Sequence, residues 1–135
     1  MNLVERLIAV DKKEFDKIET LEFPSKRLSA LLGEPAKVKI QVIEGDLFAP
    51  LSGCGMDKDG NIDYDKLFDT NAKIAAAGII EPNLKEKALL EHLGVATPAD
   101  AAKKIFKGEI NKISLKIAKL SGFEDEETTD KEIKN

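Results

Sequence analysis

The chain is poor in most of what builds a reactive centre. It has one cysteine, one histidine and no tryptophan among its 135 residues. A single cysteine, Cys54, excludes an internal disulfide and suits a reducing compartment. One cysteine and one histidine cannot assemble a zinc site from the usual nitrogen and sulfur ligands within one chain. No G-x-S-x-G nucleophile elbow occurs. The glycine-rich "GCGMDKDG", Gly53 to Gly60, lacks the Lys-Ser/Thr pair of a phosphate-binding loop. Cys54 lies between Gly53 and Gly55, with no His or Lys beside it to lower its pKa. His92 falls at the end of an apolar helical stretch, where the helix dipole favours its charged form over work as a base. The expectation is a protein that is not an enzyme, with no catalytic residues, no metal site and no cofactor.

Other shortages narrow the class further. Aromatic residues make up 5% and hydrophobic residues 42%, so the core must be built from Leu, Ile, Val and Ala. That favours helix packing over a large sandwich of strands. The longest apolar run, "IAAAGII" (Ile74–Ile80), falls well short of the about 20 residues a membrane span needs. "MNLVERLIAVDKKEF" has no basic region ahead of a long apolar one, as a signal peptide would. A soluble, cytoplasmic protein is predicted. No excess of positive charge is available for phosphates either. The net charge is −4; "EDEETTDKEIKN" (124–135) carries six acids against two lysines, which is the same −4, so residues 1–123 sum to zero. Lys and Arg are dispersed among acids, which argues against nucleic acid as a partner.

What is present is helical periodicity with well-marked ends. Asn2 can cap a short amphipathic helix carrying Leu3, Val4, Leu7 and Ile8. Residues 11–19 read as a charged connector. "TLEF" (Thr20–Phe23) suits a short strand ending at Pro24, and Ser25 can cap a helix through "KRLSALL" that Gly33 closes. "KVKIQVI" (Lys37–Ile43) alternates as a half-buried strand, to be paired with residues 20–23 or a segment near 47–52. From Tyr64 the pattern is helical, with Leu67, Phe68, Asn71, Ile74, Ala75 and Gly78 near one face. Asn83 and Glu86 suggest a capping box before "LKEKALLEHL", which Gly94 ends. Thr97-Pro98 opens "ADAAKKIF" before Gly108. The last helix carries Ile110, Ile113, Ile117 and Leu120, spaced three, four and three, up to Gly122. The predicted fold is α+β and predominantly α-helical: a small N-terminal β element followed by a C-terminal cluster of about four short helices. Residues 1–123 read as one domain, with 1–19 as an arm that is flexible unless something packs on it. Residues 124–135 read as an acidic disordered tail.

"DKDGNIDYDKLF" (Asp57–Phe68) invites comparison with a calcium loop. Such a loop needs glycine at position 6 and a bidentate glutamate at position 12. Counted from Asp57 these positions hold Ile62 and Phe68; counted from Asp59 they hold Tyr64 and Thr70. The plainer role fits: a polar turn at Gly60, then Asp63 as N-cap, with Ile62 and Leu67 placed as a hydrophobic staple.

The run from Glu81 to Glu126 resembles the XkdN-like tail assembly chaperones of long-tailed bacteriophages and prophages. The likeness rests on Pro82-Asn83-Leu84, on Leu93-Gly94-Val95 ending a helix and on Gly108-Glu109-Ile110 opening the last one. Leu120-Ser121-Gly122-Phe123 before acidic residues completes it. "GNIDYDKLFDTNAKIAAAGIIEPNL" and "SKRLSALLGEPAKVKIQVI" are similar too, and segment 49–61 is the least alike. The resemblance implies a chaperone that binds the tape-measure protein, keeps it soluble, helps recruit tail tube subunits and leaves before the virion is mature. On that footing Ile113, Ile117, Leu120 and Phe123 are the partner-binding candidates, to be weighed against a purely core role. A small helical adaptor or regulator unrelated to phage tails is the competing expectation. The sequence does not specify an oligomeric state.

Overall fold

The computed structural model describes residues 2–45 and 59–122. Cys54, Asp57, Phe123 and the tail 124–135 lie outside the described residues, as does the alternative strand partner near 47–52. The elements in chain order are α1 (Leu3–Ile8), α2 (Lys12–Phe15), β1 (Thr20–Pro24), α3 (Lys26–Leu32), β2 (Lys37–Gln41), α4 (Tyr64–Gly78), β3 (Ile79–Glu81), α5 (Lys87–Leu93), α6 (Pro98–Phe106) and α7 (Glu109–Leu120). The protein is α+β with helix dominant, as the sequence predicts.

The three strands form an antiparallel sheet in the order β1-β2-β3. Phe23 pairs with Val38 and Thr20 with Gln41, so β1 is one of the two predicted partners of β2. The third strand, Ile79–Glu81, is not among those the sequence predicts. Ile40 pairs with Ile79 across a register shift at Lys39/Ile40. The β-branched pair Ile79-Ile80 after Gly78 suits a pleated surface better than another helical turn. One face of β2 is core: Val38 and Ile40 are fully buried, and Lys39 lies between them.

Most caps follow the sequence. Asn2, Ser25, Asp63 and Thr97 each accept an amide hydrogen bond at a helix start. Gly33, Gly94 and Gly122 take positive φ as helix terminators. Three details differ. Residues 12–15 of the connector form a helical turn capped by Asp11. Asn83 and Glu86 make no capping box: Asn83 Oδ1 accepts from Lys85 N at 3.0 Å, and α5 starts only at Lys87. Buried Leu84 anchors this turn in the core, which delays the helix. The left-handed residue after α6 is Lys107 (φ 50°), not the adjacent Gly108 (φ −62°). That turn delivers Phe106 and Ile110, on either side of it, into the interior.

The core lies where α4 packs on α6 and α7, with β2 against α7. The α4–α7 contact is close. A Cβ on Gly78 would sit 2.5 Å from Ile117 Cδ1, so only glycine admits Ile117 there. Polar bonds fix the remaining angles. Ser114 Oγ donates to Asn71 Oδ1 and Asn71 Nδ2 to Asn111 Oδ1, joining α4 to α7. Ile43 N donates to Ser121 Oγ, tying the end of the β2 segment to the end of α7. Lys116 Nζ lies 5.0 Å from the centre of the Phe23 ring.

Two helix starts are tied by one carboxylate. Ser25 is fully buried; its Oγ accepts from Leu28 N at 3.1 Å and donates to Glu109 Oε1. Glu109 Oε2 accepts from Lys26 N at 3.0 Å. Glu109 itself stands in the first turn of α7, where the dipole favours its charge. Ser25→Ala removes the cap of α3 and leaves that carboxylate short of a donor. A loss of about 1–2 kcal/mol is expected in urea unfolding, the usual cost of a lost N-cap.

Candidate partner-binding surfaces

Burial sorts the candidates that the sequence suggests. Ile113 and Ile117 are 0% exposed, and both belong to the core cluster with Ile110 and Phe106. Their i, i+4 spacing points them inward, Ile117 against Gly78 on α4. In this fold both side chains serve packing. Leu120 is half-buried against the same cluster, and Phe123 lies outside the described residues.

The exposed aliphatic surface lies elsewhere. Leu31 and Leu32 on α3 are 55% and 60% exposed. With Leu28 they form one wall of a groove of about 590 Å³, and Leu89 and His92 of α5 form the other. Ile105 and Pro82 line it too, and Lys37 and Glu81 bring one charge of each sign. The groove owes its shape to α3, which the Ser25–Glu109 clamp holds at one end and Gly33 stops at the other. Arg27 Nε donating to Ile105 O (3.3 Å) ties α3 to α6. His92 sits in the last turn of α5, at the helix end that the sequence predicts for it. A signal for the groove does exist in "KRLSALL": three leucines and an alanine in seven residues are more than one short helix can bury on one side.

A second exposed set occupies the N-terminal arm. Leu3, Val4, Leu7 and Ile8 are 54–77% exposed, and α1 has no buried residue. They are the predicted amphipathic face, and Val4, Leu7 and Ile8 line a hollow of about 400 Å³ with Val10, Lys12 and Phe15 of the same arm. The arm joins the body past a hollow of about 570 Å³ lined by Phe15, Ile18, Val42, Ile43 and Ala77, among others.

Little in the described residues resembles chemistry. No group of three or more His, Cys, Asp or Glu is placed to hold a metal ion among them, and no helix there is long and apolar enough to cross a membrane. Asp63 caps α4, accepting from Lys66 N at 3.2 Å, and Gly60 has φ 81°. The part of the acidic stretch that is described thus behaves as a turn and a cap.

One carboxylate has a displaced pKa. Asp69 on α4 is held below the ordinary carboxylate range by its hydrogen bond to Lys103 Nζ on α6 (2.7 Å) and, next, by Lys73 Nζ (3.1 Å). A lowered folded pKa means the pairs contribute above the unfolded value of 3.8 and are lost as pH falls through the folded value. The difference in stability between the wild type and Asp69→Asn should therefore be constant near neutrality and shrink below about pH 4. Because Asp69 remains 43% exposed, the effect should be small and should weaken with salt. Urea unfolding at stepped pH checks this.

The chain belongs to the XkdN-like phage tail assembly chaperone family: the model described as "Phage XkdN-like tail assembly chaperone protein, TAC" matches residues 4–134. Among solved structures it is similar to the protein YqbN. The identity is 21% and the TM-score 0.54, over 80% of this chain and 90% of that one, which is a likeness of fold. The comparison with curated proteins returned no match.

Proposed function

We propose that this tail assembly chaperone binds the tape-measure protein in the host cytoplasm, keeps it soluble, helps recruit tail tube subunits and is absent from the mature virion. The observation that carries the reading is the α3–α5 groove, with Leu31 and Leu32 exposed beside a fully formed core. A very long, partly apolar helical client presents aliphatic side chains at i, i+3, i+4 and i+7, and an aliphatic groove takes such a face. Charged residues spread over the rest of the surface keep the loaded complex soluble. The grip thus moves from Ile113 and Ile117, which the core uses, to Leu28, Leu31, Leu32 and Leu89.

Co-expression with the tape-measure protein tests it. Leu31→Asp combined with Leu32→Asp should leave the circular dichroism and the unfolding midpoint nearly unchanged, because neither side chain is buried. The same pair should cut recovery of soluble tape-measure protein by about tenfold, which corresponds to about 1.4 kcal/mol of binding. Undiminished recovery with the folded double variant would remove the groove from the proposal.

A further inference from the structure

The leucine wall of the groove stands on a helix with no residue in the core. α3 is seven residues long and none of them is buried, and a helix that short does not hold its shape by itself. Whatever fixes α3 therefore also fixes where Leu28, Leu31 and Leu32 stand. We propose that Glu109, which does not line the groove, is a positioning residue for client binding: its carboxylate acts through Ser25 and Lys26 to hold the α3 wall where a client can be gripped. This rests on the groove being the client site and assigns that site a residue outside it.

Three observations carry the assignment. The first is where the carboxylate places its bonds. Glu109 opens α7, yet the start of α7 has no side-chain cap hydrogen bond. Oε1 accepts from Ser25 Oγ and Oε2 from Lys26 N, both at the start of α3. Hydrogen bonds to a charged acceptor are roughly twice as strong as neutral ones.

The second is leverage. Ser25 Oγ donates to Glu109 and accepts from Leu28 N. Ser25 is also the fully buried residue from which α3 departs. Leu28 is the first leucine of the wall, and Leu31 and Leu32 follow it by three and four positions, on the same side of the helix.

The third is the contrast between the two walls. α5 is bonded to α6 by Lys104 Nζ donating to Leu93 O at 3.0 Å, and Leu84 just ahead of α5 is buried. At the far end of α3, Ser29 Oγ accepts from Ala36 N at 2.9 Å, which fastens the helix to the segment entering β2. Towards the C-terminal helices α3 rests on Arg27, whose bond to Ile105 O is longer at 3.3 Å, and on Glu109.

Without the carboxylate, α3 opens locally while the core stays closed. Openings that break few buried contacts cost less than global unfolding. A client then meets a formed wall in only a fraction of the chains, and its apparent affinity falls by that fraction.

Glu109→Ala in the full chain tests the assignment. The amides of Leu28, Leu31 and Leu32 should lose most of their protection from hydrogen exchange, with those of Val38, Ile40 and Ile113 unchanged. Recovery of co-expressed soluble tape-measure protein should fall about fivefold, as the formed fraction does. Glu109→Gln keeps an acceptor for Lys26 N and offers its amide to Ser25 Oγ, so it should restore recovery to within about twofold of the wild type. Protection lost in the core together with α3 would make Glu109 a general stability residue and overturn the assignment. Full recovery of the client with an unprotected α3 would overturn it too. Glu109→Asp, too short to reach both donors, is read in the same way should the alanine variant fail to fold. The Leu31→Asp, Leu32→Asp variant is run alongside. Loss of the client there but not with Glu109→Ala would leave the groove standing and remove the positioning role; no loss in either would remove the groove and the role together.

Discussion

Ile117→Asp should abolish folding, with far-UV dichroism and amide dispersion collapsing together. Ile117 is fully buried and lies in the closest contact between α4 and α7. Truncating a buried isoleucine already costs about 2–5 kcal/mol through lost transfer energy and the cavity left behind. An aspartate at that position adds a charge with no partner in an aliphatic surround, a penalty of several kcal/mol even after relaxation. A domain of this size has about 5–15 kcal/mol in total, so the sum reaches the limit of its stability. Ile113→Asp should behave alike. The outcome distinguishes the two roles open to this stripe. A soluble, folded Ile117→Asp variant that had lost only partner capture would place the residue on the surface and contradict the packing described above.

Gly78→Val should cost about 3 kcal/mol, at the upper end of the usual range for overpacking a core. Three side-chain atoms of Ile117 lie within 3.0 Å of where the new Cβ would stand. They belong to a residue buried on all sides, so it has little room to withdraw. Gly78→Ala should cost less: the smaller side chain meets the same atoms, but alanine regains up to about 1 kcal/mol of helix propensity. The clash predicts coupling. Ile117→Val, mildly destabilising alone, should recover part of the Gly78→Val loss by shortening the side chain that is struck. A double-mutant cycle in urea reads this directly, with an interaction of about 1 kcal/mol or more expected for residues in contact. Strict additivity would mean that the helices separate instead of repacking.

Features set within a few residues are legible in the sequence. The serine, threonine, asparagine and aspartate caps and the glycine terminators depend on bonds between neighbours, and the three-four spacing of Ile110, Ile113 and Ile117 marks an inward face. Features set by distant partners are not. Ile79–Glu81 is a strand because β2 has an edge to offer it there, which no local pattern reveals. Lys107 adopts positive φ beside an available glycine because α6 and α7 must each lodge an aromatic or isoleucine side chain in one core. The exposed leucines are the same case. An apolar stripe shows that a helix has something to cover, but not whether its own chain covers it. The stripe of α7 meets Gly78 and is buried, whereas Leu31 and Leu32 of α3 stay exposed.

The Ser25–Glu109 clamp gives α3 a dependence that its short length conceals. Seven residues make fewer than two helical turns with a few internal bonds, so alone this helix would melt. Its start is held by a carboxylate from the beginning of the last helix, more than eighty positions along the chain. The leucine wall can therefore persist only while the carboxyl-terminal helix is seated. A nascent chain emerging from the ribosome would lack the finished leucine wall until α7 had been made.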